Sequence, residues 1–235
     1  GALEFNENLA ALTIAPGALA FSGVTALAWA LFSQLALAVP LFAQKVLGLE
    51  ASIGLLWTTS SLAVIAFQVP VTRYVTARMA PATAMAAGVA ILGAGLGLVG
   101  LARSFTGLLL AVLVFVAGEM LLMPTVDSTV STMAREGAVG SYFGVASFAW
   151  GLGEGLGNLT GGALMQYALG AGRPRLPWPI YTGVGVGLAV LYKLVVGRRA
   201  TTAPPGTGGV VQVYRPGQPA PDQAGSVLGP PREPD

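Results

Sequence analysis

Six long apolar runs, each close to the length a helix needs to cross a bilayer, constrain this chain more than any other feature. They fall at residues 17–44, 53–72, 83–101, 106–130, 140–168 and 179–197. A hydrocarbon core of about 30 Å takes roughly 20 helical residues at 1.5 Å each. Backbone N–H and C=O groups find no water at that depth, so a run of this length must satisfy them within itself, as a helix does. The breaks, LGLEAS, RYVTARMAP, ARSF, AREGAVG and GAGRPRLPWP, carry charges, Gly or Pro and are short, as connections between antiparallel neighbours should be. The expected fold is an all-α integral membrane protein: a six-transmembrane-helix bundle over 17–197, after a cytoplasmic lead-in at 1–16. A disordered Pro/Gly-rich cytoplasmic tail is expected at 198–235, because half of the sixteen prolines lie beyond Ala200.

Composition enters as support and as a filter. Hydrophobic residues make up 54% of the chain and charged residues 9%, against roughly 25% charged in ordinary globular domains. There is no Cys and no His, which removes disulfides, thiol nucleophiles, imidazole bases and the usual zinc and haem ligands, so neither an enzyme nor a cofactor is expected. The twelve basic residues are spread along the chain and form no patch, so nucleic acid is not an expected partner. Read as topology, they put Arg73, Arg78, Arg135, Lys193, Arg198 and Arg199 on the N-terminal side of the membrane and Lys45, Arg103, Arg173 and Arg175 on the other. By the excess of Lys and Arg in inner connections, both termini are expected in the cytoplasm. GALEFNENLAALTIAP at the start carries Glu4 and Glu7 and no basic residue, so it does not read as a secretory signal. A start at Gly1 rather than Met leads to the expectation of an incomplete or trimmed chain.

Acidic residues at membrane depth are the most informative side chains, since a carboxylate at the bilayer centre costs about 2.5–3.5 kcal/mol even on insertion scales. Glu119 falls in the middle of the fourth run, Asp127 eight residues further toward the cytoplasm, and Glu154 in the middle of the fifth run. Glu119 and Glu154, on adjacent antiparallel helices, are expected at similar depth in one polar cavity. A carboxyl group there either loads and releases a proton or binds a cation on a transport route, or it stays protonated and only fixes helix packing. Gln34 and Thr25 in the first run, and Thr58, Thr59, Ser60, Ser61 and Gln68 in the second, would complete a wall made by spans one, two, four and five. Trp29, Trp57 and Trp150 offer rings to an apolar or cationic substrate, or serve packing and interface anchoring. The third run has no ionisable residue and the sixth only Lys193, so both are expected to face lipid.

Two glycine patterns imitate nucleotide sites. Gly95, Gly97 and Gly100 spell G-x-G-x-x-G without a preceding strand, and GLGEGLGNLTGG lacks the GK[ST] of a phosphate loop. In the second, Gly151 with Gly155, Gly153 with Gly157, and Gly157 with Gly161 form small-xxx-small pairs that let helices approach closely. Pro40, Pro70 and Pro124 interrupt helical hydrogen bonding and need neighbours to satisfy the freed carbonyls.

GEMLLMPTVDSTVSTMAREGAVGSYFGVASFAWGLGEGLGNLTGG, from Gly118 to Gly162, resembles the tenth and eleventh helices of major facilitator superfamily transporters of the bacterial drug:proton antiporter type. Gly118, Glu119, Pro124, Arg135, Gly137, Gly140, Tyr142 and Gly144 carry the match. VPLFAQKVLGLEASIGLLWTTSSLAVIAFQVPVTRYVTARM resembles the seventh and eighth, with an outer turn at Leu47, Gly48 and Leu49. The resemblance implies the C-terminal six-helix half of a twelve-helix transporter, with spans one, two, four and five around the cavity and three and six outside. It implies a partner N-terminal six-helix half, on the same chain or a separate one, a small-molecule substrate, and proton-coupled efflux across the cell membrane. Glu119, Glu154 and Asp127 would be the proton- or substrate-linked groups, Gln34, Gln68 and Trp150 would line the cavity, and Arg73, Arg78 and Arg135 would sit in gating loops. The inner loop with Arg73 and Arg78 holds no acid to pair with them. The alternative is a truncated fragment that does not transport, or a half that works only when paired with another.

Overall fold

A computed structural model describes residues 16–134 and 139–200, and the described part is helical throughout, with short turns. The lead-in, Arg135 and the tail beyond Ala200 lie outside these residues. Helices α1 (Pro16–Phe32), α2 (Ala38–Lys45), α3 (Ile53–Tyr74), α4 (Pro81–Val99), α5 (Phe105–Met133), α6 (Val139–Gly170) and α7 (Pro177–Ala200) follow in chain order. Each expected run is helical, with ends within a few residues of those read from sequence.

The first run is broken in the middle. Ser33–Leu35 forms a 3₁₀ turn, Ser33 O accepts from the backbone N–H of both Ala36 and Leu37, and α2 restarts at Ala38. Pro40 falls in the first turn of α2, where a missing N–H costs little. Elsewhere the punctuation is local chemistry. Pro81 opens α4, and the Ser104 hydroxyl caps α5 by accepting from Gly107 N at 3.3 Å. Gly48 (φ 67°) and Gly172 (φ 66°) turn the chain after α2 and α6 in the left-handed region that glycine enters without strain.

Five stretches are long and apolar enough to cross a membrane: Gly17–Lys45, Glu50–Arg78, Pro81–Val99, Phe105–Met133 and Pro177–Gly197. The expected fifth run is the exception. Its helix, α6, has 32 residues, but glycines, Glu154 and Asn158 dilute its apolar content.

Packing is organised around α4, which lies between α5 and α7. This corrects the expectation that the third run faces lipid. A side chain on Gly88 would meet the Gly118 carbonyl and Leu122 of α5, and one on Gly95 would meet Phe115. On the opposite side Gly93 touches Gly185, Gly97 abuts Thr182, and Gly100 abuts Trp178. The apparent nucleotide pattern Gly95, Gly97 and Gly100 is therefore a two-sided packing surface. Absence of charge does not mean lipid contact here, because small residues draw neighbouring backbones in; beyond Pro81 at its start, α4 exposes Ala94 and Leu98, followed by Leu101 just past its end.

α1 packs on α6 and α7. Gly153, Gly157 and Gly161 form one stripe of α6 against Ala26 and Trp29, Ala30 and Ser33, and Gln34 in turn, while Gly151 and Gly155 face open space. Of the three glycine pairs read from sequence, the two sharing Gly157 make the contact. Buried Tyr192 donates its hydroxyl to Thr25 at 3.2 Å and ties α7 to α1. Among the described helices α3 leans chiefly on α5, and Leu55, Leu62, Ile65, Phe67 and Val69 are all more than half exposed.

Candidate functional site

Glu119 is the middle residue of α5, and it is half-buried. Its chamber, about 140 Å³, is bounded by Phe32, Leu35 and Ala36 after α1, by Trp57, Ser60, Ser61 and Val64 on α3, and by Val116. That space is large enough to admit water. Ser60 donates to its own helix at Leu56 O (2.8 Å), so its hydroxyl proton is spent and only lone pairs face the chamber. Among the described residues no hydrogen bond or ion pair engages the Glu119 carboxyl.

Asp127 lies two turns further along α5. Eight residues advance a helix by about 12 Å and rotate it by about 80°, and Asp127 accordingly opens into a second chamber. This one, about 240 Å³, lies between α1, α5 and α6 and is lined by Thr25, Trp29, Met123, Phe143, Ser147 and Trp150 among others. The Trp29 and Trp150 rings stand 5.6 Å apart, Trp29 meets Phe32 edge to face at 5.2 Å, and Phe32 lies 5.5 Å from Phe115. Phe32 lines the Glu119 chamber and Trp29 the Asp127 chamber, so this aromatic row is the partition between them. The single cavity expected from sequence is thus two chambers, separated by a wall from α1.

The remaining sequence candidates divide clearly. Trp150 lines the Asp127 chamber. Glu154 is half-buried on α6, beside the Gly153 stripe, and lines neither chamber, so the structure does not bring it together with Glu119. Gln34 also lies outside both linings. It is buried where α1 meets α6, and its amide nitrogen donates to Ala30 O at 2.9 Å and to Gly157 O at 2.8 Å. Arg73 is exposed in the last turn of α3 and Arg78 in the 3₁₀ turn after it, with the Arg73 guanidinium 5.6 Å from the Tyr74 ring.

Gln68 acts on the backbone of α5. Pro124 lacks the N–H that would bond the carbonyl four residues back, that of Met120. The Gln68 amide on α3 donates to Met120 O at 3.2 Å and to Thr72 Oγ1 at 3.0 Å, so α3 satisfies the acceptor that the proline leaves open, one residue from Glu119. Gln68→Leu should cost about 1–3 kcal/mol, the penalty for a buried acceptor left unmet, as a lower midpoint of unfolding in detergent. Pairing Gln68→Leu with Pro124→Ala should recover most of that loss, because the alanine N–H closes the same carbonyl.

Residues missed from the sequence are Phe32, Met123, Phe143 and Ser147. Phe32 had a signal, as Trp29 and Phe32 share one face of α1 at a spacing of three. The others are set by which face of α6 meets α5. The hydroxyls near the end of α5 bond their own helix, Thr125 to Leu121 O and Thr129 to Thr125 O, both at 2.6 Å, so they are not free ligands around Asp127.

No protein-family profile matches the chain. It is similar to Multidrug resistance protein MdtH of Aeromonas hydrophila subsp. hydrophila, 29% identical over 163 residues that make up 69% of this chain and 41% of that protein. It is also similar to two Bacillus subtilis proteins. Uncharacterized MFS-type transporter YqjV is 28% identical over 131 residues, 56% of this chain and 31% of that protein. Uncharacterized MFS-type transporter YttB is 28% identical over 149 residues, 62% of this chain and 37% of that protein. The chain spans between about a third and two fifths of the length of these relatives.

Proposed function

We propose that this chain, a relative of major facilitator superfamily transporters and a multi-pass membrane protein, is the C-terminal six-helix half of a secondary transporter that exports small amphipathic molecules in exchange for protons. Three features support the reading. The matched relatives are membrane transporters, one named for multidrug resistance. The apolar faces of α3 and of α6, where Phe148, Leu152, Leu156 and Leu159 stand exposed, leave room for a second six-helix half. The observation that carries the proposal is Glu119, a carboxyl unpaired among the described residues at the middle of a membrane helix, set in a small chamber with little other polarity.

In this mechanism Glu119 takes up a proton from one side and gives it to the other. Its neutral and charged forms differ in how well they tolerate the chamber, so protonation shifts the balance between inward- and outward-open arrangements of the two halves. Trp29, Trp150 and Asp127 offer the amphipathic substrate rings and one negative charge in the second chamber. α4 and α7, which line neither chamber, serve as scaffold, and both termini lie in the cytoplasm. The reading of the chain as a half that works only when paired rests on the same uncovered faces. Both are tested in proteoliposomes under an imposed pH gradient, with the chain alone and with it joined to an N-terminal half. Gradient-driven flux of a fluorescent amphipathic cation is expected only in the joined form. Gradient-driven flux by the chain alone would overturn the half assignment, and its absence in both would overturn proton-coupled transport.

A further inference from the structure

We infer that the groove between α4 and α7, at the end of the bundle that carries the α4–α5 and α6–α7 loops, is a binding site for an anionic phospholipid. The groove holds about 610 Å³ and is mostly apolar, lined by Ala94, Leu98, Leu101, Trp178 and Pro179, with Thr182 and exposed Arg175 as its polar members. From Ala94 to Leu101 it runs about 10 Å along α4 at the helical rise, a length suited to the upper part of an acyl chain.

Charge selects the headgroup. Arg175 is exposed, and its Nη2 reaches the Ala102 carbonyl at 3.4 Å, which holds the guanidinium between the two loops. Arg103 and Arg173 lie on the same loops, which contain no Asp or Glu. Lys45 ends α2, and Glu50 lies in the turn before α3. A cationic rim above an apolar slot fits a phosphodiester above an alkyl chain. The groove lies on the far side of α4 from the two chambers, so the site is independent of the transport proposal.

The test uses the full chain in nanodiscs of mixed phosphatidylglycerol and phosphatidylcholine, with retained lipid counted by native mass spectrometry after transfer to detergent. The parent should retain phosphatidylglycerol preferentially. Arg175→Gln should lower that preference about fivefold, the effect of one cation near an anionic lipid, and Lys45→Gln should leave it unchanged. Ala94→Trp, which fills the groove from an exposed position, should remove retention of both lipids while helicity is kept. Arg175→Lys, which keeps the charge, should retain the preference and serves where Arg175→Gln fails to fold. Equal retention of the two lipids by the parent, or equal losses in Arg175→Gln and Lys45→Gln, would overturn the site.

Discussion

Glu119→Gln in the complete transporter should reduce gradient-driven flux to the level of empty liposomes, while substrate still exchanges down its own gradient. The substitution keeps shape and volume and removes only the ability to release a proton. Among the described residues the carboxyl makes no hydrogen bond or ion pair, so no partner is orphaned and the fold should be unaffected. Removing a titratable group from membrane depth also relieves a desolvation cost, so unfolding in detergent should move little and, if at all, toward greater stability. Glu119→Asp keeps an acid one methylene shorter and should retain part of the coupled flux. Glu154→Gln should leave coupling intact, because Glu154 lies outside both chambers. Parent-like coupled flux in Glu119→Gln would remove this residue from the mechanism, and loss in Glu154→Gln alone would move the proton site to α6.

The largest structural effect is expected at Gly157. A leucine there would run into the Ala30 backbone and the Ser33 hydroxyl of the facing segment. Backbone cannot move aside as the end of a flexible side chain can, so α6 would be pushed from α1. The bond from the Gln34 amide to Gly157 O would be lost, leaving one buried N–H of that amide short of its acceptor. Overpacking costs about 1–3 kcal/mol and an unsatisfied buried polar group about 1–3 kcal/mol, so a loss of about 3 kcal/mol or more is expected. Gly155→Leu, in open space two residues away, should change stability by less than about 0.5 kcal/mol. Titrating sodium dodecyl sulfate into detergent-solubilised protein and following helicity compares the two directly. Equal destabilisation by both variants would show that α6 does not meet α1 along the stripe of Gly153, Gly157 and Gly161.

Both predictions rest on features of different legibility. Glu119 stood out in the sequence because a charge in a long apolar run is costly wherever its side chain points. The role of Gln68 was half visible: Pro124 announces a free carbonyl, but only the placement of α3 beside α5 supplies the amide that meets it. Gln34 shows the limit. A glutamine in a membrane run reads equally well as a cavity wall or as a helix tie, and the proximity of Gly157 makes it a tie.

The sequence by itself determined the helices, because runs of this length and apolarity must satisfy their backbone internally in a bilayer, and Gly, Pro and charge mark where the runs stop. It also determined which carboxyls are costly enough to need a reason. Tertiary structure alone decided that α4 is enclosed while α3 is open, that Gly151 and Gly155 of α6 face open space while Gly153, Gly157 and Gly161 meet α1 and the turn after it, and that Glu119 and Asp127 occupy separate chambers. The physical reason is that an almost uniformly apolar helix has no polar face to announce its orientation. Its rotation is set by which small residues let a neighbour's backbone approach, and that depends on both partners at once.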